Sequence, residues 1–96
     1  MKTWPVLKKD GSLHAFEIRS TPVTFGRIFR ALRATEGVAN VKRNWFSEDH
    51  ITFSYRGEPF VINEPWGDSS RYWVGPQDAE TSKVDLTSLL KAFQDG

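Results

Sequence analysis

The sequence predicts an α+β domain, a two-layer structure with helices packed on a mostly antiparallel sheet. Three observations predict it. Two segments repeat apolar residues at helical spacing: Phe25, Ile28, Phe29 and Leu32, then Leu86, Leu89, Leu90 and Phe93. Other segments alternate apolar and polar residues as half-buried strands do, most cleanly Ile51 to Arg56. The helical stripes lie around a run of strands without βαβ alternation, which argues against a parallel sheet. The predicted order is ββαββββα, in a single domain over residues 1–96. Such a sheet can leave one face partly open to solvent.

Trp4 to Lys8 and Leu13 to Arg19 read as strands joined by Lys9-Asp10-Gly11-Ser12, because Asp-Gly between extended segments favours a hairpin. In the second strand His14, Phe16 and Ile18 share one face, and Leu13, Ala15 and Glu17 the other. The first is the expected buried face, which puts His14 at the edge of the core. Thr21 before Pro22 fits an N-cap followed by the first helical position, with Thr24 as a competing cap. Along the helix that follows, Arg27, Arg30 and Arg33 fall opposite the apolar stripe, and Gly37 is the expected stop.

Val38 to Arg43 reads as a strand, followed by a loop from Asn44 to Asp49. Ile51 to Arg56 and Phe60 to Asn63 form a hairpin turned at Gly57-Glu58, with Tyr55 expected opposite Phe60 and Phe53 opposite Ile62. Pro65 ends that strand. Arg71 to Val74 is the last strand, closed by Gly75-Pro76. Alternation turns Tyr72 and Val74 one way, and Arg71 and Trp73 the other. A polar link from Gln77 to Lys83 leads to the final helix. Asp85 is its expected N-cap, and Val84 and Leu89 sit at hydrophobic-staple positions.

Aromatic residues make up 14% of the chain, so rings should fill much of the core. Cysteine is absent, which excludes disulfides and thiolate metal sites. The first residues lack the apolar run of a signal peptide, no stretch approaches transmembrane length, and a cytoplasmic, bacterial protein is expected. Net charge is +1 but unevenly spread. From Arg19 to Arg43 six bases stand against one acid, and from Asn44 to Glu80 seven acids stand against two bases. The two segments can neutralise each other or orient partners.

Candidate chemistry is sparse. Trp66-Gly67-Asp68-Ser69-Ser70 resembles the Gly-Asp-Ser block of some small hydrolases, but both histidines, His14 and His50, precede it, and a turn is the expected structure. Asp49-His50 beside Glu48 offers an acid-base pair or half a metal site, yet too few ligands for a metal. No glycine-rich phosphate loop occurs. No cofactor, metal or enzymatic activity is expected. Trp66, Asp68, Arg71, Tyr72 and Trp73 have the composition of an interface hot spot; the acids Glu58, Glu64 and Asp68 nearby suit a basic partner, or else Arg71 pairs internally with Glu64 or Asp68.

The block Glu64 to Pro76 resembles the E-P-[WF]-G-D-x-S-R-Y-W-[IV]-G-P block of a group of small bacterial proteins of unknown function, in which it follows a β-hairpin. The resemblance supplies no catalytic residues and implies a stand-alone accessory or interaction protein. The leading expectation is therefore a non-enzymatic protein-binding module, bound to a protein partner or to itself through an edge strand. The alternative is nucleic-acid binding through Arg27, Arg30, Arg33, Lys42 and Arg43, with Trp45 and Phe46 as stacking partners. No membrane association is expected.

Overall fold

The computed structural model describes residues 1–19, 24–44, 49–64 and 71–95. The first hairpin joins β1 (Thr3–Leu7) to β2 (Leu13–Arg19). Its turn is closed by the Gly11 N–H donating to Lys8 O at 2.9 Å. Gly11 takes φ 87°, a left-handed conformation that glycine adopts without steric cost. Asp10 holds the turn from within: the Ser12 N–H and Oγ–H both donate to its Oδ1, at 2.9 and 2.6 Å.

Helix α1 (Thr24–Ala34) follows. Ile28 and Leu32 of its stripe are fully buried, Phe25 and Phe29 partly, and Arg27, Arg30 and Arg33 are exposed. The expected cap at Thr21-Pro22 lies outside the described residues. Gly37, at φ 92°, ends the helical region as expected. Strand β3 (Val38–Arg43) pairs with β4 (Asp49–Tyr55), which pairs with β5 (Glu58–Asn63).

The β4–β5 hairpin turns at Arg56-Gly57 instead of Gly57-Glu58. Both residues have positive φ, 52° and 83°, the pattern of a two-residue type I′ turn whose twist matches the strands. The register is accordingly two residues from the expected one: Tyr55 faces Glu58, Phe53 faces Phe60, and Ile51 faces Ile62. A shift of two preserves the faces, so the expected aromatic and aliphatic residues still point inward.

Strand β6 (Arg71–Pro76) runs two residues beyond its expected end and inserts between β2 and β5. Among the described residues the sheet has six strands, all neighbours antiparallel, in the order β1-β2-β6-β5-β4-β3. Helix α2 (Thr87–Asp95) closes the chain. Asp85 caps it: the Thr87 N–H donates to Asp85 Oδ1 at 2.9 Å.

The two helices lie side by side on one face of the sheet. Between the layers sit Phe16, Ile18, Val74, Ile62, Ile51, Phe60 and Tyr55 from the strands, all fully buried. Ile28, Leu32, Leu89 and Phe93 meet them from the helices. The Phe16 and Phe93 rings meet edge to face at 5.2 Å. Each such ring brings an aromatic burial whose loss costs several kcal/mol, about 3–5 for Phe to Ala.

The expected faces of β2 hold for Phe16 and Ile18 but not for His14. Val6 pairs with Ala15 and Leu7 with Leu13, so His14 is an extra residue at a bulge. The bulge turns Leu13 toward the core and brings His14 to the opposite face, edge-on to Trp73 at 6.3 Å.

Candidate functional site

The face of the sheet away from the helices carries the densest unusual chemistry. Directly paired residues project to one face, so the pairing registers define its rows. One row runs Trp4 (β1), Glu17 (β2), Trp73 (β6), Asn63 (β5) and Asp49 (β4). The chain thus alternates indoles with carboxylate and amide groups across five strands. No helix covers this face among the described residues.

Trp73 takes the space that a side chain at position 75 would fill. A Cβ added at Gly75 would come within 2.7 Å of Trp73 Cη2 and 2.8 Å of the Ala15 Cβ. The indole therefore lies over Gly75, with the His14 ring 6.3 Å from it in an edge-type contact. Beside it is a groove of about 550 Å³. Its polar lining is Glu17, Asp49, Asn63 and Gln77, and Val6 and Val61 are its apolar part. The volume is within the range of ligand pockets, roughly 300–1,000 Å³.

Arg71 is held at one side of the same face. Its guanidinium carbon lies 3.7 Å from the centroid of the Trp4 ring, and its Nη1 donates to Glu17 Oε1 at 3.4 Å. Of the two acids the sequence offers Arg71 for internal pairing, Glu64 and Asp68, the second lies outside the described residues. Glu17 meets Arg71 because β6 inserts beside β2, which brings the N-terminal hairpin against the last strand. Trp4 and Glu17 could not be placed at this site from sequence, since nothing local marks a contact spanning more than fifty residues.

Of the five residues expected to form one surface, the three described ones divide between two faces. Arg71 and Trp73 share the open face, half-buried. Tyr72 points the other way, 7% exposed, and packs against Phe25 at 5.5 Å and His50 at 5.3 Å. Its placement corrects the expectation of a contact residue: alternation along β6 puts it in the core. Trp66 and Asp68 lie outside the described residues.

The basic set also divides. Arg27, Arg30 and Arg33 stay together on the outer side of α1. Arg43 faces the helix layer, 4.3 Å over the Phe25 ring. Lys42 pairs with Thr52 and so faces the opposite side of the sheet, which removes it from a common surface with α1. The reason is a bulge in β3 at Asn40, φ 55°, which resets the alternation. Trp45 and Phe46 lie outside the described residues.

Asp49 and His50 do not act as a pair. His50 is the extra residue where β4 opens, so Asp49 faces the groove while His50 turns under α1. There His50 Nε2 lies 3.5 Å from Glu64 Oε2, at ion-pair range and without a hydrogen bond. Among the described residues no three His, Asp or Glu side chains converge on a metal position. No helix among them is long and apolar enough to cross a membrane.

Comparison with protein-family models, curated proteins and solved structures returns no match for this chain.

Proposed function

We propose that the protein is a non-enzymatic binding module whose helix-free sheet face receives a protein partner. The observation that carries this reading is Arg71, stacked on Trp4 and bonded to Glu17, with the indole of Trp73 beside it on one face. Trp and Arg dominate interface energetics when their geometry is set in advance, because less side-chain freedom is lost on binding. The likeness of the Glu64 to Pro76 block to small bacterial proteins of unknown function agrees with an accessory role.

The test is capture from nuclease-treated native lysate on immobilised protein, with wild type compared quantitatively against Arg71→Ala and Trp73→Ala. A discrete protein should be retained by wild type and bind Trp73→Ala roughly thirtyfold more weakly, as a hot-spot truncation of about 2 kcal/mol implies. Equal retention by all three proteins would remove the open face from the reading.

One observation favours a second reading, nucleic-acid binding through α1. Arg27, Arg30 and Arg33 are exposed and have no ion pair among the described residues. If they contact phosphates, affinity should fall steeply with salt, and each Arg→Ala change should reduce the logarithmic slope by about one. Binding that is flat across a salt series would exclude it.

A further inference from the structure

We infer that the groove beside Trp73 takes the guanidinium of an arginine side chain presented by the partner. This rests on the reading of the sheet face as a protein-binding surface and names the chemistry it recognises.

The first argument is donor and acceptor balance. The lining contains two carboxylates, two amides and an indole, and no base among the described residues; of the carboxylates, Glu17 already accepts from Arg71 through Oε1. Asn63 Nδ2 donates to Asp49 Oδ1 at 3.4 Å, which orients the amide and leaves Asn63 Oδ1 on its other side. That oxygen is buried and has no hydrogen-bond partner among the described residues. A buried acceptor without a donor costs free energy until a ligand satisfies it. The groove therefore favours a ligand rich in donors and positive in charge.

The second argument is an internal precedent on the same face. Arg71 is already bound by an indole, Trp4, and a carboxylate, Glu17, one strand away. The row then repeats the pattern: Trp73 follows Glu17, and Asn63 and Asp49 follow Trp73. The groove thus offers a second indole with acceptors beside it. A planar guanidinium can stack on the ring and point its donors sideways at the acceptors, a geometry that a compact ammonium cannot match. The six-membered ring of Trp73 occupies the space above Gly75, so its outer edge is held in place beside the groove.

The test uses the whole ¹⁵N-labelled chain and three probes: N-acetyl-arginine amide, the citrulline analogue and the lysine analogue. The readout is the indole N–H resonance of Trp73, assigned by its loss in Trp73→Phe. The arginine probe should move it saturably, and the uncharged citrulline probe should bind roughly tenfold more weakly. Asp49→Asn keeps the shape and the acceptor for Asn63 but removes the charge, and should weaken the arginine probe by a similar factor. Equal binding of citrulline, indifference to Asp49→Asn, or no saturable shift would overturn the inference. An equal response to lysine would overturn the guanidinium assignment. If the arginine probe fails while Trp73→Ala still abolishes partner capture, the interface stands and only the arginine anchor falls. If the probe binds and capture is unaffected by Trp73→Ala, the groove stands and the protein-interface reading falls.

Discussion

Gly75 carries no side chain at the position where Trp73 needs space. Gly75→Ala places a methyl group 2.7 Å from the indole, and one of the two must move. The variant should lose about 1–3 kcal/mol of stability, as overpacking does, and shift the Trp73 fluorescence. An unchanged unfolding midpoint and spectrum would mean that the indole does not rest there. Tyr55 shows the opposite case. Its ring is fully buried against Phe60, yet its hydroxyl has no hydrogen-bond partner among the described residues. Tyr55→Phe removes an unsatisfied polar group and should leave urea stability equal or raise it by up to about 1 kcal/mol. A clear loss would reveal a partner for the hydroxyl. The faces of β6 were legible at this scale, because alternation along Arg71, Tyr72, Trp73 and Val74 survives intact. The grouping of Tyr72 with the contact residues followed composition, although the same alternation already turned it away from Arg71 and Trp73.

At the scale of elements, both helices follow from their stripes, and α2 also from its cap. The Asp85 carboxylate accepts from the Thr87 hydroxyl and backbone N–H, and these bonds hold its pKa below the ordinary value of 3.8. A lowered folded-state pKa contributes stability that is full above the ordinary value and is lost as pH falls through the lowered one. Asp85→Ala should therefore reduce the melting temperature at neutral pH, and the difference should shrink as pH drops below 3.8. A gap constant down to strong acid would show that the cap does not act through the ionised carboxylate. The strands were legible as segments, but their bulges were not. One extra residue at His14, Asn40 or His50 reverses every face beyond it, and no local composition marked those positions. That is why Asp49 reaches the groove face instead of the core face of Ile51, and why Lys42 leaves the basic set.

For the whole molecule, one core joins the two layers. Phe93 from α2 meets Phe16 from β2 at its centre. Phe93→Ala should cost about 3–5 kcal/mol, with helix and sheet signals still melting together. Separate transitions would mean that α2 folds on its own account. The sheet edges also bear on partners. β1 carries Pro5 and β3 carries the Asn40 bulge, devices that blunt an edge against strand pairing. They weigh against self-association edge to edge and in favour of contact through the helix-free face.

The sequence by itself determined the α+β class, the order ββαββββα, the amphipathic stripes, the Asp85 cap, and the turning of Trp73 away from Tyr72. These are periodic or local properties, set by neighbours within a few residues. Only the tertiary structure decided which strands adjoin. Inserting β6 between β2 and β5 brings Glu17 and Trp4 to Arg71, and Asn63 and Asp49 to Trp73. That insertion depends on how the buried faces of distant strands fit together under two helices. It is a property of the packed core as a whole, and no window of sequence contains it.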